Sequence, residues 1–158
     1  MADETADRRL RFLIARRRSQ QRLLLKAFIK QLHDIGVEVT ESQIVDAEAA
    51  VRYELELAGR RQTWSDDHAI DDVRLRLDPF HAGSENTDFV IALSHSWDFP
   101  VRMPYRDFVG NAEPLAEFDR DTVYAFSASL DRGVCISRYD DEFGEGIRFA
   151  FAAWTSGA

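Results

Sequence analysis

On a period of 3.6 residues, Leu10, Leu13, Ile14, Leu24, Leu25, Phe28 and Leu32 fall on one face, which predicts a helix from about Thr5 to His33. Arg17 and Gln21 lie on that same stripe and interrupt it. The other side carries Arg11, Arg18, Arg22, Lys26 and Lys30, and Phe12, Leu23 and Ala27 form a weaker second apolar patch. Gly36 marks the stop. Thr40 and Gln43 then read as a capping box that opens a second helix from about Glu41 to Ala58, ended by Gly59. Its buried stripe is expected at Ile44, Ala47, Val51, Leu55 and Ala58, with Glu48–Arg52 and Glu56–Arg60 as solvent-side pairs.

After Trp64 the period changes to two. Val73–Leu77 alternates strictly, Phe89–Leu93 reads as a central strand, and Pro100 and Pro104 confine Val101–Met103 to a short edge strand. Residues 105–118 hold at most a short helix, weakened by Gly110 and Pro114. Thr122–Leu130 and Val134–Tyr139 flank Asp131-Arg132-Gly133, a three-residue hairpin loop, and Ile147–Trp154 is the last strand. The fold class is therefore α+β: an N-terminal antiparallel two-helix hairpin packed on a roughly five-stranded antiparallel sheet. Alternation places Tyr124, Phe126, Leu130, Phe149 and Phe151 on a bulky face toward the helices. Ala125, Ser127, Ser129, Ala150 and Ala152 are left on a face of small residues.

A length of 158 residues suits one domain. Its charge is unevenly divided. Residues 1–61 hold 12 basic and 10 acidic side chains; residues 62–158 hold 8 and 18, for a total of −8. Residues 8–30 alone contain nine Arg or Lys and no acid. The lone Cys135 cannot form an intramolecular disulfide, and no apolar run reaches the roughly 18 residues that span a bilayer. MADETADRR begins acidic without the apolar core of a secretory signal. These features predict a cytoplasmic protein with no membrane association.

The candidate chemistry is sparse. TWSDDHAIDD gathers Asp66, Asp67, His68, Asp71 and Asp72, but a short helical turn capped by Ser65 accounts for it better than a metal site, so no metal is expected. Ser94 and His95 are neighbours on a strand end, and adjacent strand residues point apart, so they make no catalytic pair. Cys135 reads as a packing residue. No phosphate-binding glycine loop occurs, and no cofactor is expected.

Charge then directs the functional expectation toward binding. The basic helix face of Arg11, Arg18, Arg22, Lys26 and Lys30 is one candidate contact surface. The acidic loops at Glu117, Asp119, Asp121, Asp140, Asp141 and Glu142 are the other. In size and acidity the chain is similar to bacterial immunity proteins, phage-encoded inhibitors and small adaptors, which implies a protein partner such as a nucleic-acid enzyme. Arg17 on the apolar stripe implies a cation buried at a contact. Self-association is expected, if at all, through helix 1 or the Ala/Ser sheet face. Two alternatives stand beside this one. The basic helix suits direct nucleic-acid contact. Helices before a curved sheet are also compatible with cone-shaped folds such as the nuclear-transport-factor-2-like group. That reading lines an apolar pocket with Trp64, Tyr124, Phe126 and Phe149 and uses His68, His81 or His95 as acid or base.

Overall fold

The computed structural model describes residues 2–60, 65–68, 77, 87–140 and 146–155. The first helix, α1, runs Ala2–Asp34. Gly36, at φ 85°, turns the chain after it. The Thr40–Gln43 cap is present, with the Thr40 N–H donating to Gln43 Oε1 at 2.9 Å, but it closes only a 3₁₀ turn, Glu41–Gln43. The second helix, α2, starts later, at Ala47–Ala58, because Asp46 caps it and accepts from the Ala49 N–H at 2.9 Å. Ile44 and Val45 between the two turns are diverted to the sheet: Ile44 bridges Val101, and the Val45 N–H donates to the Pro100 carbonyl at 2.8 Å.

The sheet comprises β1 (Ser65–His68), β2 (Asp88–Leu93), β3 (Val101–Pro104), β4 (Thr122–Ser127), β5 (Arg132–Asp140) and β6 (Ile147–Thr155). All pairs are antiparallel, in the order β1-β6-β5-β4-β2-β3. The α+β class with a helical pair on an antiparallel sheet is thus observed; the sheet has six strands among the described residues, β3 is at an edge, and β2 is the internal strand beside it rather than the central one. Ser65–His68 is a strand rather than a capped helical turn. The expected strand at 73–77 lies outside the described residues except for Leu77, which is buried. A full helix, α3 (Tyr105–Asp119), replaces the weak one expected. It buries Tyr105, Phe108, Ala112, Leu115 and Ala116, and this packing outweighs the roughly 3 kcal/mol that Pro114 costs inside a helix.

The β4–β5 turn closes earlier than the Asp131-Arg132-Gly133 loop predicts, over residues 128–131. Ser127 Oγ donates to Asp131 Oδ1 and accepts from the Arg132 N–H, so the turn locks before Gly133. Gly133 is inside β5, opposite Trp154. A Cβ there would sit 2.3 Å from Trp154 Cζ2, which is why the position is glycine.

Register overturns the expected division of the sheet into bulky and small faces. Tyr124 pairs with Cys135 and Cys135 with Ala152, whereas Val123 pairs with Ile136 and Ile136 with Phe151. Tyr124 and Phe126 therefore share a face with Ala152, and Phe149 and Phe151 share the opposite face with Ala125. Each face mixes large and small side chains, and each is covered. One packs with Phe28 and Leu32 of α1 and with α3; the other packs with Tyr53 and Leu57 of α2. Ala125, Ser127, Ala150 and Ala152 are buried within the chain and Ser129, in the β4–β5 turn, is exposed, so these residues do not form one open small-residue face.

The two helices and the sheet meet at Arg17, whose side chain is only 13% exposed. Its guanidinium pairs with Glu54 of α2 and, at 2.8 Å, with Asp98. It also donates to the Trp97 carbonyl at 2.8 Å. One turn on, Gln21 Nε2 donates to the carbonyls of Val45 at 2.8 Å and Asp98 at 2.7 Å. The inward row of α1 is therefore Arg17, Gln21, Leu25, Phe28 and Leu32. Leu24, expected in the core, is rotated off this row and is 46% exposed. Leu55 of α2 is likewise exposed, at 52%, because Tyr53 and Leu57 are the side chains that α2 turns to the sheet.

Two stability measurements follow from these contacts. Gly133→Ala pushes the Trp154 indole off its seat and strains its Nε1–H bond to the Leu130 carbonyl, 3.1 Å long. The expected loss is about 1–3 kcal/mol, read as a lower urea midpoint at constant slope. Arg17→Ala leaves two partly buried carboxylates and a carbonyl without their shared donor. It should cost about 2–4 kcal/mol after discounting for partial exposure, whereas Arg18→Ala next to it should stay within about 0.5 kcal/mol.

Candidate functional site

The candidate surface is α1, and the structure sorts its cations into three groups. Arg17 is consumed by the clasp to Glu54 and Asp98. Arg11 and Lys30, at the two ends of the expected stripe, are held by Asp7 at 2.7 Å and Asp34 at 3.1 Å, both one turn away on the same helix. Arg18, Arg22 and Lys26 are exposed and form no ion pair among the described residues. The same holds for Arg8, Arg9 and Arg16, which lie off the predicted stripe. The Asp7–Arg11 and Lys30–Asp34 spacings of four were a sequence signal that the ends of the stripe are neutralised. Phe12 and Leu23 of the second patch are 64% and 73% exposed.

Among the described residues, the acidic candidates do not gather on one surface. Asp119 is buried, 3% exposed, and accepts from Ser94 Oγ at 2.7 Å and from the His95 N–H at 3.0 Å. Ser94 Oγ in turn accepts from the Thr122 N–H at 3.1 Å. Asp119 therefore ties the end of β2 to the end of α3 and the start of β4, and it is removed from the contact set. Asp121 is exposed, with His95 Nε2 3.5 Å from its carboxylate. Glu117 is exposed but borders a cleft of about 940 Å³ that also holds Arg120 and Arg138, so its surroundings are mixed in sign. Asp141 and Glu142 lie outside the described residues, and Asp140 is placed only as the last residue of β5.

The ingredients of the pocketed alternative are separated. Tyr124 and Phe126 lie on the α2 side of the sheet and Phe149 on the α3 side, so they cannot line one cavity. Trp64 and His81 are outside the described residues, and His95 is a surface residue. Ser94 directs its hydroxyl to Asp119 rather than to His95. Among the described residues no group of three His, Cys, Asp or Glu side chains converges as a metal site, and no helix is long and apolar enough to cross a membrane. The Asp71 and Asp72 part of the acidic cluster lies outside the described residues.

Comparison with family models, curated proteins and solved structures returns no match.

Cys135 sits mid-strand, fully buried opposite Tyr124 and Ala152. Burial pushes its thiol up to about 12, so the nucleophilic thiolate is suppressed at neutral pH. The native protein should therefore resist an aromatic disulfide reagent at pH 8 and take up one equivalent only when unfolded in urea. Full labelling of the folded chain within minutes would show that the β4–β5–β6 face opens.

Proposed function

We propose that this chain is a non-enzymatic interaction protein, of inhibitor, immunity or adaptor type, that grips an acidic macromolecular partner with the outward face of α1. One observation carries the reading: six cations that form no ion pair among the described residues lie around two large apolar side chains left exposed. A solvated helix face needs charges alone. Exposed Phe12 and Leu23 add apolar area whose burial on a partner is worth roughly 1.5–3 kcal/mol for each side chain. Complementary charge sets encounter rate and register. The net charge of −8 opposes long-range attraction of polyanions, which favours a short-range protein contact over a phosphate backbone. The single buried thiol accords with a reducing, cytoplasmic setting.

The test is affinity capture from host lysate with and without nuclease, comparing wild type with an Arg18→Glu, Arg22→Glu, Lys26→Glu triple variant. One stoichiometric protein that survives nuclease should be retained by wild type and by His95→Ala. The triple variant should retain it at least tenfold less, with an unchanged circular dichroism spectrum. Equal capture by the triple variant would remove α1 as the contact surface. Partners that vanish on nuclease treatment would transfer the reading to nucleic acid.

A further inference from the structure

The cleft of about 940 Å³ beside Glu117 is built from three parts of the fold. The C-terminal half of α3 supplies Pro114 and Phe118, and the end of β5 supplies Arg138 and Tyr139. Ile35, just after α1, also borders it. Phe118 is held edge-on against Phe28 of α1, with ring centroids 6.4 Å apart, so this wall is anchored in the core. Arg138 is opposite Phe149 in the sheet and shares its face, the one that α3 covers, and its Nε is buried. Glu117 and Arg120 are exposed and complete the lining. They are three residues apart, yet neither forms an ion pair among the described residues. Arg120 also follows α3 in the left-handed conformation, at φ 60°, with its N–H donating to the Ala116 carbonyl at 3.0 Å. Glycine takes that conformation without a Cβ penalty. Leu130, at φ 61°, is the other non-glycine residue with positive φ among the described residues, and burial of its side chain offsets the strain. The Arg120 side chain has no such burial, and the dipole at a helix end favours an exposed cation only weakly. A group from outside the chain is what remains to engage this guanidinium.

We infer that this cleft binds a small planar organic anion, with its oxyanion on Arg120 and Arg138 and its ring against Phe118, Tyr139 and Pro114. Guanidinium forks match carboxylate and phosphate alike, so the assignment covers both oxyanions. The volume falls within the roughly 300–1,000 Å³ of small-molecule sites, which combine apolar walls with a few polar groups. Here four of the seven lining residues are apolar or aromatic, and the three charged ones sum to +1 in a chain of −8. A cationic ligand is repelled by two guanidinium groups, and a neutral ring leaves both unengaged. The cleft shares no residue with the cationic face of α1. The inference therefore goes beyond the function proposed above: it gives the binding protein a small ligand of its own.

The probes are 1-naphthoate and 1-naphthyl phosphate, titrated against the full chain by fluorescence anisotropy at pH 7. The cation 1-naphthylmethylamine and the neutral 1-naphthol are the other arms. At least one of the two anions should saturate at one per chain with a Kd below about 1 mM, and the tighter of them identifies the preferred oxyanion. The amine and the naphthol should bind at least tenfold more weakly. Arg120→Gly suits the left-handed backbone, so it should keep or raise Tm while weakening the anion at least fivefold. Glu117→Gln, which removes the opposing carboxylate, should tighten it. The Arg18/Arg22/Lys26 triple variant should bind the anion as wild type does, whatever its lysate capture shows. Absence of saturable binding by both anions, equal binding of the amine or naphthol, or unchanged affinity in Arg120→Gly overturns the assignment. So does a fall in Tm for Arg120→Gly, which would make the side chain structural, or loss of the anion in the triple variant, which would place it on α1.

Discussion

Everything in this fold that involves α1 depends on how one arginine is desolvated. Placing Arg17 near the interior costs several kcal/mol unless its donors are matched. The chain matches them with Glu54 from α2, Asp98 from the turn before β3 and the Trp97 carbonyl. Those partners come from two segments far apart in sequence, so satisfying one guanidinium fixes α1, α2 and the 97–98 turn against each other. Gln21 repeats the arrangement one turn later on Val45 and Asp98. Beyond it, apolar packing takes over: Phe28 stacks on Phe99 with ring centroids 4.6 Å apart. A polar clasp at one end and an apolar plug at the other fix the rotation of α1 about its axis.

That rotation decides which side chains remain available. With the row from Arg17 to Leu32 turned inward, Phe12 and Leu23 have no choice but to face water. The same constraint operates on α2, where turning Tyr53 and Leu57 to the sheet leaves Leu55 at the mouth of the α1–α2 cleft. The surface assigned to a partner is therefore a by-product of how the core is satisfied. The acidic half follows a different logic. Asp119 joins three elements, Asp131 closes a turn, and part of the acidity that looks like a binding surface in the sequence serves as internal fastening. Hydrogen bonds from Ser127 and Ser129 hold the Asp131 carboxyl below its ordinary value.

Local rules were legible wherever a single element's periodicity carried the information. The two helices, the Gly36 stop, the internal Phe89–Leu93 strand and the Pro-bounded edge strand are all of this kind, as is the Glu48–Arg52 pair at 3.0 Å. The α+β class followed from their order. The same rules failed where a competing local signal was stronger or a distant partner intervened. The Thr40 cap opens a 3₁₀ turn because Ile44 and Val45 are drawn to β3, so α2 waits for Asp46. Pro114 argued against α3, yet the burial of Phe108 and Leu115 outweighed it.

That α1 is amphipathic and basic, that Arg17 interrupts its apolar stripe and that the chain is α+β can be read along the chain, because helical and strand periods are properties of neighbouring residues. Where each residue points is set by tertiary contacts. Strand register put Phe126 and Phe151 on opposite faces, buried the Ala and Ser positions and separated the aromatic residues of the imagined pocket. The clasp on Arg17 rotated α1 so that Phe12 and Leu23 face outward. Register and rotation are set by contacts between residues tens of positions apart, and no periodicity within one segment encodes them.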